Sequence, residues 1–351
     1  MLDERSGDTL GPYQLERLLG EGTMGRVWQA RHQKLGRTVA IKLLRAEHSA
    51  NSAVMNRFFD EARAVNRVNH EHIVEIIDFV EEREPPRVYC VMEYLDGKSL
   101  SERVQATPLA VQEIITVMRQ VCGALAAAHQ VGVVHRDVKP DNVFVLSRPG
   151  GPLFAKVLDF GVAKLGSDLR RSSVSRTAQG TLLGTPLFMS PEQIVGADVD
   201  ARADVYAVGC LLYWLLAGRL PFDSPHFGEL AMQVLKDTPP PLPMRIPSGE
   251  RLPAGLADLA LRCLSKRAED RPYSMEALVD ALEQPYTPRS GSVRHRAFAF
   301  GVAVAVLTGA AAVWSFTHER LLSVVAGEGV AKAEKRAVPF DEDATIDPFA
   351  R

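Results

Sequence analysis

The chain has 351 residues, too many for one small core, so two lobes or two domains are expected. It is 46% hydrophobic and 24% charged, as globular proteins are, and its formal net charge of −2 gives no basis for bulk nucleic-acid binding. Cys90, Cys122, Cys210 and Cys263 lie far apart in apolar runs without CxxC spacing, and read as reduced core residues rather than disulfide or zinc partners. Residues 1–10 are polar and acidic, unlike a signal peptide, and no internal repeat is visible.

Tyr13 to Leu19 reads as a strand, followed by Gly20-Glu21-Gly22-Thr23-Met24-Gly25-Arg26-Val27. In a dinucleotide-binding fold a helix would follow these glycines. Here a β-like run, Val27 to Arg31, follows instead, and another strand arrives at Thr38 to Leu44. Strand, glycine turn and strand make either a flexible hairpin or a flap whose backbone N–H groups cover phosphates. Alternation in Val39-Ala40-Ile41-Lys42 puts Lys42 on the face of small Ala40, a setting suited to a flat base nearby. An inward lysine needs an anionic partner. Helical spacing over Ser52 to Val68 offers Glu61, on the side of Phe58, Ala62 and Val65; the alternative is a surface Glu at the edge of that stripe.

Ile73 to Val80 and Arg87 to Met92 read as two more strands. The polar turn Glu93-Tyr94-Leu95-Asp96-Gly97 connects two lobes and offers backbone to an adenine edge, with Met92 either behind that pocket or in plain core. Thr107-Pro108 predicts a helix start with Pro at the first position, running through Leu109 to Gln130. Next comes His135-Arg136-Asp137-Val138-Lys139-Pro140-Asp141-Asn142, charge held between apolar blocks, with Pro140 forbidding a continued helix. Asp137 suits accepting a hydroxyl proton, Lys139 neutralising a phosphate and Asn142 holding a metal ion. Strands at Val143–Leu146 and Ala155–Leu158 lead to Asp159-Phe160-Gly161, an acid at a sharp turn and a metal-ligand candidate. Residues 162–189 are rich in hydroxyls and basic groups, and loops of that length inside a compact domain are usually functional or mobile. A buried helix is expected at Asp204 to Ala217, stopped by Gly218, and two amphipathic helices at about 254–265 and 274–283.

Taken together, these parts resemble the protein-kinase signature set, and specifically the bacterial eukaryotic-like (Hanks-type) serine/threonine kinases, over roughly residues 13–284. The resemblance implies an α+β, bilobal fold: a β-rich N-lobe at about 13–92 and a mainly helical C-lobe at about 97–284, with 1–12 as a tail. It implies ATP and Mg²⁺, with Mn²⁺ as an alternative, and protein Ser/Thr hydroxyls as acceptors. ATP would be bound by Leu19, Gly20, Glu21, Gly22, Thr23, Met24, Gly25, Arg26, Val27, Ala40, Lys42, Glu93 and Leu95, with Lys42 paired to Glu61. Asp137 would take the hydroxyl proton, Lys139 would steady the transferring group, and Asn142 and Asp159 would hold the metal. His135 and Phe160 would pack as a spine beside Gly161; Glu192 would brace Arg271; Asp204 would tie down the catalytic loop; Thr185 would contact it on the substrate side. Arg136 would await a phosphate on Ser175, Thr177 or Thr181. Three departures, Ser190 for the usual Ala, Thr23 for Gly and Phe188 for Tyr, remove no reacting group. A pseudokinase scaffold would lack Lys42, Asp137 or Asp159, and a small-molecule phosphotransferase of this fold would lack Ser190-Pro191-Glu192 and the Asp204 helix; all are present.

Residues 285–296 form a basic linker, and Ala297 to Phe316 carry no charge over a length that spans a hydrocarbon core. Arginines before the segment and Trp314 near its far end put the kinase side in the cytoplasm of a bacterial, single-pass inner-membrane protein; the alternative is an Ala-rich soluble helix. Residues 317–351 read as a disordered tail. A kinase–kinase dimer for trans-autophosphorylation is compatible with this layout, and no nucleic-acid partner is expected.

Overall fold

The computed structural model describes residues 4–22, 25–45, 59, 63, 66–83, 86–146, 148, 150–160, 175–176, 182–183 and 186–284. The N-terminal part is a six-stranded antiparallel sheet in the order β1-β2-β3-β4-β6-β5. Its strands are β1 (Thr9–Leu10), β2 (Tyr13–Glu21), β3 (Gly25–His32), β4 (Thr38–Leu44), β5 (Ile76–Arg83) and β6 (Pro86–Glu93). Alternation along β4 sorts its side chains as the sequence implied. Val39, Ile41 and Leu43 pack with Leu10, Leu15, Trp28, Tyr89 and Val91 in one cluster, while Leu44 joins Val88 and Cys90 on the other face. The sheet begins inside the stretch read as a tail, because Leu10 is fully buried and pairs with Tyr13.

Past Glu93 the chain becomes mainly helical. The three-stranded sheet β7 (Gly97–Ser99), β8 (Val143–Leu146) and β9 (Phe154–Val157) lies beside α1 (Leu100–Ala106) and α2 (Val111–Gln130). Then come α3 (Pro191–Val195), α4 (Ala201–Ala217), α5 (Phe227–Lys236), α6 (Ala254–Cys263) and α7 (Met275–Glu283). Helix α2 packs on α7, α4 and β9, and α4 packs on α6, forming one large apolar cluster. Helix α4 is buried almost all round, and Gly218, at φ 71°, ends it in a left-handed turn that a Cβ would disfavour. The pair β10 (Ser175–Arg176) and β11 (Leu182–Leu183) is antiparallel.

Three differences from the sequence reading have local causes. Helix α2 starts at Val111 rather than at Pro108, because the Glu113 side chain accepts from Ala110 N–H at 2.8 Å and fixes the start there. Thr107 instead closes α1, a helix not expected from the sequence. Strand β5 starts at Ile76, since Ile73 is taken by a bridge to Val157 of β9. Among the described residues no helix is long and apolar enough to cross a membrane, and residues 297–316 lie outside them.

Candidate active site

The glycine turn joins β2 to β3, with Gly20 opposite Val27 and Glu21 opposite Arg26. Gly25 must be glycine: a Cβ there would stand 2.0 Å from the Leu43 carbonyl oxygen of β4. Gly22 N–H donates to Gly25 O at 2.9 Å, and Arg45 donates to Glu21 Oε1 at 2.8 Å, so the turn is tied to β4. Leu19, Glu21 and Gly22 are exposed, Val27 is half-buried and Ala40 is buried. Thr23 and Met24 lie outside the described residues.

Lys42 faces Val27 across β3 and Cys90 across β6. Its Nζ donates to Asp159 Oδ1 at 2.7 Å, joining the sheet to the segment after β9. Burial pushes the Asp159 carboxyl up, but the adjacent Lys42 ammonium outweighs this and holds it below the usual carboxylate range. Its side chain is still 48% exposed. Asp159 has φ 47°, a left-handed conformation that is uncommon outside glycine. Glu61, the expected partner of Lys42, lies outside the described residues, as does Gly161.

The loop 135–142 is fixed from below by Asp204, in the first turn of α4. Asp204 is fully buried; its Oδ2 accepts His135 N–H at 2.8 Å and its Oδ1 accepts Arg136 N–H at 2.7 Å. These two bonds hold Arg136 at φ 65°, another strained position. His129 Nε2 lies 2.7 Å from Asp204 Oδ2, and Gln193 donates to Arg136 O at 3.0 Å. Neither residue was singled out in the sequence. The Ser190-x-x-Gln193 spacing of a capping box was a readable signal for Gln193, and Ser190 Oγ does accept Gln193 N–H at 3.4 Å.

Within the loop, Asp137 Oδ2 accepts from Lys139 Nζ at 3.1 Å and from Asn142 Nδ2 at 3.2 Å. Asn142 Nδ2 also donates to Asp137 O at 2.8 Å. His135 Nδ1 accepts Asp137 N–H at 3.2 Å, so its proton sits on Nε2, which donates to Leu158 O at 2.9 Å. With both ring nitrogens occupied and its ring 4.6 Å from that of Phe160, His135 is structural. Arg136 Nε is buried without a hydrogen-bond partner among the described residues. Burial lowers the Arg136 pKa, which Asp204 offsets only in part. Ser175 lies in β10 opposite Leu183; Thr177, Thr181 and Thr185 lie outside the described residues.

Glu192 of α3 meets Arg271 in a bidentate pair at 2.7 and 2.8 Å. Arg271 also donates to the carbonyls of Arg202, Ser265 and Lys266. Residues 93–95, where β6 ends and the connector begins, are half-buried.

One carboxylate gathered with a lysine and an amide, together with a second carboxylate paired to a lysine of β4, is the residue set of a phosphoryl-transfer site. The chain belongs to the family described as protein kinase domain, which matches residues 13–286. It is 44% identical over 282 residues to the serine/threonine-protein kinase Pkn1 of Myxococcus xanthus, covering 80% of this chain and 39% of that protein. It is 38% identical over 262 residues to PknB of Mycobacterium tuberculosis, covering 74% of this chain and 40% of that protein. The chain thus spans about two fifths of the length of these two relatives. The crystal structure of the Mycobacterium tuberculosis PknI kinase domain superimposes with a TM-score of 0.57 at 28% identity, over 80% of this chain and 98% of that one.

Proposed function

We propose that the chain is an ATP-dependent serine/threonine protein kinase, moving the γ-phosphoryl group of ATP to protein Ser or Thr hydroxyls. The observation that carries this reading is the Asp137–Lys139–Asn142 cluster, present together with the Lys42–Asp159 pair. Asp137 accepts the hydroxyl proton as the hydroxyl oxygen bonds to phosphorus and the bond to the β-phosphate oxygen breaks. Lys139, beside it, offsets charge on the transferring group. Backbone of 93–95 takes the adenine edge, Ala40 lies under the base, and the N–H groups of the glycine turn and Lys42 take phosphates.

Asp159 and Asn142 would hold Mg²⁺. One carboxylate, Asp159, and one amide oxygen, Asn142, are the donor set that suits Mg²⁺, an ion held by one or two carboxylates plus substrate phosphates. When bound, Mg²⁺ would supply positive charge to the phosphate groups of the nucleotide. The Asn142 amide nitrogen is committed to Asp137, which leaves its oxygen to serve as a ligand.

Arg136 Nε, buried and without a hydrogen-bond partner among the described residues, favours regulation by a phosphate on Ser175, Thr177 or Thr181. One experiment covers these points. Incubated with labelled ATP, Mg²⁺ and casein, the wild type labels casein and itself, and mass spectrometry places phosphate between 175 and 181. Asp159→Asn labels neither. Equal labelling by Asp159→Asn overturns the metal assignment, and a fully active wild type without phosphate at these hydroxyls overturns the regulatory one.

Residues 297–316 anchor the chain in the bacterial inner membrane, with the kinase domain cytoplasmic; what supports this is 20 uncharged residues behind an Arg-containing linker. The full chain is expected in the salt-washed membrane fraction, and the same chain lacking 297–316 in the supernatant. Identical partitioning of the two removes the anchor.

A further inference from the structure

Lys156 and Glu93 form an ion pair between the two halves of the site. Lys156 lies in β9, opposite Phe144 and three residues before Asp159. Glu93 ends β6, opposite Val39, where the connector begins. Lys156 Nζ donates to Glu93 Oε1 at 2.6 Å and to Ile73 O at 3.1 Å. The same Glu93 oxygen accepts Glu75 N–H at 2.8 Å, while Glu93 N–H donates to Glu75 O at 3.0 Å. The two side chains are 12% and 21% exposed, so solvent screens the pair far less than a surface one.

The segment 72–75 is stitched to β9 as well. Val74 N–H donates to Val157 O at 3.1 Å, and Val157 N–H donates to His72 O at 2.8 Å. His72 Nδ1 lies 2.8 Å from Ala155 O. Ala155 and Val157 face the core at 1% exposure each, and strand alternation turns Lys156 the other way, toward Glu93. One ammonium therefore joins the end of β6, the segment 72–75 and the strand that leads into Asp159.

We propose that Lys156 is a positioning residue for the nucleotide. Through Glu93 it sets the height of the connector backbone above β9, and so the spacing between the adenine-binding edge and the Asp159 carboxylate. The inference rests on the reading that residues 93–95 take the base. A nucleotide must reach both ends at once, so a preset spacing removes ordering cost from its binding. Lys156 touches no reacting atom, and its loss acts on the KM for ATP rather than on kcat.

The test is steady-state kinetics of the full chain, with ATP varied and dephosphorylated casein as acceptor. Lys156→Met is expected to raise the KM for ATP about tenfold, equivalent to about 1.4 kcal/mol, with kcat within about threefold of wild type. Lys156→Arg keeps the charge and a donor, and brings KM back to within about threefold of wild type. The double variant Glu93→Gln with Lys156→Met is no worse than Lys156→Met alone, because both remove one interaction. If Lys156→Met does not fold, Lys156→Gln carries the same comparison with the charge alone removed.

Unchanged KM for ATP in the Met or Gln variant overturns the proposal. So does a raised kcat at constant KM, which would make the pair a restraint, or an Arg variant no better than Met. Binding of a fluorescent ADP analogue to the wild type without acceptor separates this from the kinase reading. A wild type that neither binds the analogue nor labels casein overturns the kinase reading itself. An active wild type with unaltered variants overturns only the role of Lys156.

Discussion

Replacing Asp137 by Asn is expected to lower kcat about 10³-fold, with the KM for ATP and the melting temperature nearly unchanged. The size follows from what the substitution removes. Asp137 Oδ2 already accepts from Lys139 and Asn142, so its position is set by two donors and by Asn142 Nδ2 on its own carbonyl. An Asn of the same shape satisfies those donors through its oxygen and presents an NH₂ group to the substrate hydroxyl. An amide nitrogen cannot take the proton, so the hydroxyl must attack while protonated. The nucleotide contacts proposed for β4, the glycine turn and residues 93–95 do not involve Asp137, which is why ATP binding survives. Steady-state kinetics with casein and a thermal melt check the split. A kcat within about threefold of wild type would show that another group takes the proton and would return Asp137 to a purely structural role.

The groups of this site that sit close in the chain were legible from residues alone. Lys139 and Asn142 come two and five residues after Asp137, and Pro140 between them forces a loop rather than a helix. Strand alternation placed Lys42 on the face of Ala40, and β4 has that pattern. Other parts became legible only through the family resemblance, the pairing of Glu192 with Arg271 across 79 residues among them. The Lys42–Asp159 bond spans 117 residues, Lys156–Glu93 63, and His129–Asp204 75. Which face of an element turns inward is written in its periodicity; which distant charge it meets there depends on how elements stack, and no local pattern encodes that. Helix α1 is a different case. Ser99 and Glu102 form a reciprocal capping box, a helix-start signal that is present in the sequence just after the polar turn 93–97. Helix α5 was missed although Leu230 and Val234, both buried, stand four apart on one face.

Arg271→Ala is expected to give the largest loss of stability, about 3–5 kcal/mol, or a melting temperature lower by about 10 °C. The Arg271 side chain is fully buried and that of Glu192 only 17% exposed. The guanidinium serves the two carboxylate oxygens of Glu192 and three backbone carbonyls, tying α3, α4 and the turn after α6 together. Alanine leaves a largely buried carboxylate without its counter-charge and three carbonyls without the guanidinium that serves them, which costs more than the pair itself contributes. Lysine does not rescue, since one ammonium cannot reproduce a planar fork. The pH dependence has a definite sign. In the wild type, burial raises the Glu192 pKa, but the hydrogen bonds and charge of Arg271, together with hydrogen bonds from the Glu192 backbone and Ser190, outweigh it, and the pKa lies below its ordinary value. That stabilisation is fully present above the ordinary glutamate pKa of about 4.3 and is lost as pH falls through the depressed folded value. In Arg271→Ala the Arg271 hydrogen bonds and charge are gone while burial and the hydrogen bonds from the Glu192 backbone and Ser190 remain, so the Glu192 pKa rises relative to wild type and the cost of its charge is relieved as pH falls. Both trends close the gap in the same direction. The difference in melting temperature is largest at pH 7 and narrows steadily below about pH 5.5. A gap that widens on acidification, or a variant melting within about 2 °C of wild type at pH 7, would mean that Glu192 and Arg271 do not brace this lobe.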